Sequence, residues 1–414
     1  MNRTKVESSE TEDQIIETSE GLRDYLQACA RQALRSVIDE EVAALCGPRH
    51  HPDDDAKFRR AGSAPSYVMV NGKHEPMERP RVRLRSEGSG GKGAEVQLKS
   101  WKLAQGQDEW EAAMMRAVLC SVSTRDVPSL RESEVARESR SSISRLWQRK
   151  SAELVKQQQE SDLSGIDLVI LMLDAVVLSG GMVATTALGI DAEGRKHLLG
   201  FRIGSSENQQ VCEDLLGALS RRGLKAPAGR HLLAVLDGSL ALKNAVLAHY
   251  PHVRIQRCLV HKERNLRGYL SRQHWAELAG LFQRLRRSEG SDAAKEAVDD
   301  IERFLANKNT QARSSLEEAG SELLTLLRLD VSNDLNITLL STNCIENVFR
   351  NLRRHIGRVS RWRENTTQGD RWMASGLILA AKGFHRIKGY GKLNELIEAL
   401  EIKIDTEEEL KEVA

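Results

Sequence analysis

Hydrophobic patterning is strongest between residues 168 and 204, LVILMLDAVVLSGGMVATTALGIDAEGRKHLLGFRIG. Leu168 to Leu173 is an unbroken apolar run, as expected of a strand buried on both faces, and it stops at Asp174. Gly180-Gly181 and Asp191-Ala192-Glu193-Gly194 punctuate the two runs that follow, which predicts three strands joined by tight hairpins. Beyond them Val211, Leu215, Leu216 and Leu219 recur at helical spacing within Asn208 to Arg222, and Gly223 supplies a left-handed stop. His231 to Leu236 predicts a fourth strand, again ending in an acid, Asp237, followed by a helix over Leu240 to His249 and a strand over Val253 to Cys258.

The order strand, strand, strand, helix, strand, helix, strand is that of a ribonuclease-H-like core, in which the first and fourth strands lie side by side. Neighbouring strands sit roughly 5 Å apart, so Asp174 and Asp237 could share a divalent cation. Each acid alone could equally be a turn residue or a helix N-cap.

On the N-terminal side, residues 1–20 are polar and acidic and read as a flexible arm. Leu26, Ala30, Leu34, Val37, Ile38, Val42 and Leu45 predict an amphipathic helix over Leu22 to Leu45, closed by Gly47-Pro48, that packs against another element or a second subunit. Within residues 48–100 the stretch MERPRVRLRS predicts a basic strand, either a contact to DNA phosphates or a solvated edge. The segment from Val127 resembles a helix-turn-helix unit with helices at Leu130 to Ala136 and Ser141 to Lys150. Ile143, Leu146 and Trp147 would face inward and Ser142, Arg145, Arg149 and Lys150 would face DNA.

After Cys258 the chain is almost wholly helix-forming as far as about Leu340, with Leu278, Leu281, Phe282, Leu285, Val298, Ile301, Phe304 and Leu305 at helical spacing. It opens with Cys258 and His261 in C-x-x-H spacing. With no second cysteine pair this favours a hydrogen-bonding or packing role beside the active site over a zinc site. In STNCIENVFRNLRRHIGRVSRWREN, Ile345, Val348, Phe349, Leu352 and Ile356 share one helical face, while Glu346, Arg350 and Arg353 share its flank. Six arginines (350, 353, 354, 358, 361 and 363) against Glu346 and Glu364 leave this segment at +4, a composition suited to phosphate oxygens. Asn343 and Glu346 also have the spacing of a capping box, which gives the glutamate a purely local alternative.

The whole chain of 414 residues carries a net charge of only +2, so a nucleic-acid partner must be met by local basic stripes. Six scattered cysteines, no secretory leader and no apolar run of about 20 residues point to a reducing cytoplasm and no membrane span.

From about residue 65 to 400 the chain resembles the mutator-type transposases of bacterial insertion sequences. The resemblance is carried, in order, by MMRAVLCSVSTRDV, LDAVV, GLKAPAGRHLLAVLDG, IQRCLVHKERN, STNCIENVFRNLR and RWMASGLILAAKGFHRIKGYGKL. It implies an α/β protein with a ribonuclease-H-like catalytic core interrupted by an all-α insertion, preceded by a mainly helical DNA-binding and dimerisation region. The expected boundaries are a flexible arm at 1–20, a helical and basic-strand region at 21–125, the helix-turn-helix-like region at 126–160, the first part of the core at 161–260, the insertion at 261–338, the completion of the core at 339–395 and a tail at 396–414. A DDE triad falls on Asp174, Asp237 and Glu346, with the family's C-x-x-H element on Cys258 and His261. Two Mg²⁺ ions are implied, Mn²⁺ being able to substitute, with Asp174 as bridging ligand. Arg350, Arg353, Arg354, Arg358 and Arg361 would hold the DNA backbone. The implied partners are the element's terminal inverted repeats, target DNA and a second copy of the chain, in the cytoplasm and at the nucleoid. Ala175 stands where glycine is common in the family, and GSLALKNAV after Asp237 has fewer glycines than usual. A ribonuclease-H-like nuclease that cuts without joining, and a non-catalytic DNA-binding descendant of a transposase, are the alternatives.

Overall fold

The computed structural model of the chain describes residues 7–50, 53, 56–70, 73–85, 93–120, 122, 140–178, 181–205, 208–357, 359, 361–363 and 366–402. The chain divides into two compact units, Met1–Trp147 and Gln148–Ala414. Among the described residues no helix is long and apolar enough to cross a membrane.

The first unit opens with α1 (Glu7–Cys46), so most of the stretch expected as a flexible arm is helical. The physical reason is propagation: once the amphipathic part has paid for nucleation, each further residue adds one hydrogen bond for one residue fixed, and no proline intervenes. Ala30, Leu34, Ile38 and Val42 of α1 pack with Val68, Val70 and Val82 of an antiparallel sheet of β1 (Phe58–Val70), β2 (Lys73–Leu84) and β3 (Glu95–Val96). The expected basic strand is the second half of β2. Trp101 of α2 (Lys99–Ala104) joins this cluster, and Glu41 of α1 accepts the backbone N–H groups of Lys99 and Ser100 at the start of α2. After α3 (Gln107–Leu119) comes α4 (Arg140–Glu160), which begins in the first unit and ends in the second. The expected helix at Ser141 to Lys150 is therefore only the first half of α4, because SAELVKQQQE continues with good helix formers. Its proposed partner, Leu130 to Ala136, lies outside the described residues.

The second unit is built on a five-stranded sheet of β4 (Leu168–Val177), β5 (Val183–Asp191), β6 (Lys196–Gly204), β7 (Leu233–Leu236) and β8 (Arg254–Arg257), in the order β6-β5-β4-β7-β8. The first three strands are antiparallel, and β4, β7 and β8 run parallel, so the first and fourth strands of the unit are neighbours as their order implied. The hairpin between β5 and β6 is closed by Asp191, whose carboxylate accepts from the backbone of Glu193 and Arg195, from Arg195 Nε at 2.7 Å and from His197 Nε2 at 2.8 Å.

Strand alternation sends two apolar sets to opposite faces. Leu171, Leu173, Ala234 and Leu236 pack against α5 (Gln209–Arg221) and α6 (Leu240–His249). Helix α5 starts at Asn208, whose side chain accepts Val211 N–H, and the chain turns at Gly223 with φ +91°. Ile170, Met172, Val176, Leu233 and Val235 face the other way. There they share one continuous apolar cluster with the helices after β8: α7 (Leu259–Arg267), α8 (Trp275–Arg286), α9 (Gly290–Ala306), α10 (Thr310–Ala319), α11 (Thr325–Arg328), α12 (Asn333–Leu339), α13 (Asn343–Ile356), α14 (Gln368–Ala381) and α15 (Leu393–Ala399). The helical excursion thus has no core separate from the sheet's. The expected C-terminal tail also begins inside it, since Leu393, Leu396 and Leu400 are buried.

Candidate active site

Asp174 follows Ile170 and Met172 on the alternating face of β4, and Asp237 follows Leu233 and Val235 on that of β7. Parallel pairing of Leu173 with Leu236 makes the two acids the next step in register, on the face covered by the late helices. Asp174 is buried, and its Oδ1 accepts the N–H of Ala175 at 2.7 Å. Burial pushes its carboxyl up to about 7. The Ala175 N–H opposes this, while the charges of Asp237 and Glu346 add to it and that of His261 works against it. Asp237 Oδ1 accepts the N–H of Ser239 across Gly238, which holds φ at +110°. A Cβ at Gly238 would fall 2.3 Å from Arg257 Nε, so this turn admits only glycine while that guanidinium is in place.

Glu346 comes from the first turn of α13. This helix buries Ile345, Val348, Phe349, Leu352 and Ile356, the same five residues expected from the periodicity, and so turns Glu346 onto its half-exposed flank. The capping-box alternative is not what the glutamate does. Thr342 occupies the cap position, and Glu346 Oε1 accepts from Thr342 Oγ1 at 3.3 Å and lies 3.4 Å from His261 Nε2. His261 Nδ1 is 3.2 Å from the same threonine hydroxyl.

Cys258 is fully buried at the cap of α7, where its Sγ accepts from the backbone N–H of His261 and of Thr342, each at 3.4 Å, and Thr342 Oγ1 lies equally close. Burial would raise the thiol, but hydrogen bonds from His261 and Thr342 hold it below its usual value. The imidazole of His261 is pushed up to about 9, first by its hydrogen bond with Cys258 and then, against burial, by the charges of Cys258, Asp174 and Glu346. C-x-x-H here is a helix cap whose sulfur and ring both clasp Thr342. That threonine carried no signal beyond preceding a helix, and its role depends on the approach of α7 to α13.

Asp174, His261 and Glu346 open into a cleft of about 780 Å³ that is also lined by Arg264, Arg350 and Arg353. Arg264 was absent from the sequence expectations, although it lies one helical turn after His261 on α7 and therefore shares its flank. Arg350 bonds Asn347. Arg354 and Arg361 are exposed and are not among the lining residues, and Arg358 lies outside the described residues. On α4, Ile143, Leu146 and Trp147 are buried, Arg145 and Arg149 are exposed, Ser142 is half-buried, and Lys150 pairs with Glu153 at 3.4 Å.

Three carboxylates are an oxygen-only donor set of the kind hard divalent cations take. The buried hydroxyl of Thr186, the cross-strand partner of Asp174, has no hydrogen-bond partner among the described residues. As placed, however, the side chains do not converge: among the described residues no three His, Cys, Asp or Glu gather closely enough to hold a metal ion. Glu346 is turned to His261 and Thr342 instead.

The sequence profile of the family described as "Transposase, Mutator family" matches residues 1–368. The chain is 29% identical over 226 residues to the transposase for insertion sequence element IS6120 of Mycolicibacterium smegmatis, a match spanning 53% of this chain and 66% of that protein. It is 31% identical over 170 residues to the IS905 transposase of Lactococcus lactis, covering 41% of each. With the ISRM5 transposase of Rhizobium meliloti the identity is 27% over 361 residues, 84% of this chain and 85% of the relative. The chain thus spans less than two thirds of the length of the first two of these relatives.

Proposed function

Since the chain belongs to the mutator family of transposases, we propose that it nicks the ends of an insertion sequence to expose 3′-hydroxyls and joins them to target DNA, with Asp174, Asp237 and Glu346 as its catalytic acids. The observation that carries this reading is the register that makes Asp174 and Asp237 neighbours at the ends of adjacent strands, with Asp174 sharing its cleft with Glu346 although Asp237 does not line it. Alternation and register bring Asp174 and Asp237 to one face of the sheet, and α13 brings Glu346, Arg350 and Arg353 to the cleft that Asp174 lines. The strand order supports a ribonuclease-H-like core, a fold that serves many activities, so the argument for function rests on the site.

The three carboxylates would hold two Mg²⁺ ions, or Mn²⁺, whose chemistry is to activate an attacking oxygen and stabilise the leaving one in an in-line displacement at phosphorus. The chain's own side chains do the rest. Arg264, Arg350 and Arg353 bind phosphate oxygens of the strand to be cut and set its scissile bond over Asp174. His261, anchored through Thr342 and Cys258, orients Glu346 at the edge of the cleft. Only the attacking oxygen differs between nicking and joining, so one site serves both steps. Bringing two element ends together calls for a homodimer acting in the cytoplasm at the nucleoid.

The test is incubation of the purified protein with labelled element-end DNA, a target plasmid and Mg²⁺, beside Asp174→Ala, Asp237→Ala and Glu346→Gln. Nicking and joining by the parent, lost in all three variants while end binding survives, is the expected result. Cutting without joining would leave a nuclease. Activity retained by Glu346→Gln would remove that residue from the triad.

A further inference from the structure

Strand β2 carries arginines at 79, 81 and 83, alternate positions whose side chains leave the same face about 6.6–6.8 Å apart. Antiparallel register adds Arg59, opposite Arg83 on β1, and Glu95, opposite Arg83 on β3. Val82, between two of the arginines, points the other way and is fully buried in the unit's apolar cluster.

Three guanidiniums of β2 thus share one carboxylate, with Arg59 beyond them on β1. Glu95 Oε1 pairs with Arg79 at 2.7 Å, and its Oε2 with Arg81 at 2.9 Å and with Arg83 at 3.9 Å. The side chains of Arg79, Arg81 and Arg83 are only 32%, 31% and 19% exposed, so these charges are partly desolvated, and the buried Nε of Arg83 has no partner among the described residues. Like charges directly opposite across a sheet are destabilising, and the Arg59–Arg83 pair is such a case. Glu95 orders the row without neutralising it. What remains is a rigid comb of planar forks, the geometry that takes phosphate oxygens in bidentate fashion.

We propose that this face of the N-terminal sheet is a docking surface for the phosphodiester backbone of double-stranded DNA, a positioning contact that is blind to base sequence and separate from the catalytic cleft. The choice of duplex DNA among polyanions rests on the transposase reading. The geometry of the surface does not.

The experiment measures the affinity of the full-length protein for a duplex of arbitrary sequence as a function of salt, for the parent, for Arg79→Gln/Arg81→Gln/Arg83→Gln, for Arg59→Gln and for Asp174→Ala. Each lost phosphate contact lowers the slope of log K against log salt by about 0.9. The triple variant is expected to lose roughly 2 to 3 from the slope and Arg59→Gln roughly 1, with Asp174→Ala unchanged. Arg59 is exposed, so its variant remains informative if the triple variant fails to fold. Unchanged slopes in folded arginine variants would overturn the proposal, as would an equal loss for RNA with none for duplex DNA. The expected slope losses in the arginine variants, with a parent that neither nicks nor joins, would overturn the catalytic reading and leave this surface standing.

Discussion

Gly238 and Asp191 show how single positions hold the sheet's ends. Gly238→Ala forces a Cβ into the Arg257 guanidinium at φ +110°, and that guanidinium also donates to the Gly238 carbonyl at 2.7 Å and pairs with Glu318. The expected cost is about 1–3 kcal/mol from backbone strain alone, read by urea denaturation, with the turn that aims Asp237 disturbed as well. For Asp191, burial would raise the carboxyl, but hydrogen bonds from His197 and Arg195 hold it below its usual value of 3.8. A depressed acid contributes stability that is fully present above the unfolded-state value and lost as pH falls through the lower folded one. The gap in melting temperature between the parent and Asp191→Asn should therefore be constant near neutrality and close below about pH 4. A gap that persists in acid would assign the effect to packing. Asp191 stood out in the sequence as part of a turn between two apolar runs, whereas the demand for glycine at 238 depends on Arg257, a residue distant in sequence. The approach of His261 to Glu346 was not legible, because it depends on how two helices distant in sequence meet, and local spacing offered the capping box instead.

Helix α13 was readable because its five buried residues obey one period, whereas α1 and α4 were misjudged in length because nothing in a run of polar helix formers marks where tertiary packing stops sustaining it. What the period could not tell is how closely α13 approaches its neighbour. A Cβ on Gly376 of α14 would lie 2.6 Å from Leu352 and 3.1 Å from Ile356, so the two helices cross at this glycine. Gly376→Val should cost about 1–3 kcal/mol by overpacking. Leu352→Ala, which empties a fully buried position, should cost about 2–5 kcal/mol. Combined, they should cost less than the sum of the two, because valine fills part of the space that leucine vacates; additive losses in a double-mutant cycle would deny the contact. Asn208→Ala removes the cap of α5 and should cost about 1 kcal/mol, read by urea denaturation.

Across the second unit, a single apolar cluster joins the sheet to every helix from α7 to α15, and ion pairs stitch the same seam: buried Lys262 bonds the Ser315 carbonyl at 2.7 Å and pairs with Glu318, which also pairs with Arg257. Excising residues 268–332 and closing the gap with a short linker should therefore abolish cooperative unfolding of the unit, rather than yield a smaller folded core; a sharp thermal transition in the excised protein would refute this. The shared core also sets a timetable. Chains grow at roughly 5–20 residues per second, so on the order of ten to thirty seconds separate the emergence of β4 from that of α13. Throughout that interval the Met172 and Val176 face of the newborn sheet lacks the helix that finally covers it, a period in which the nascent chain depends on chaperones and in which slow codons within the helical excursion would prolong the exposure.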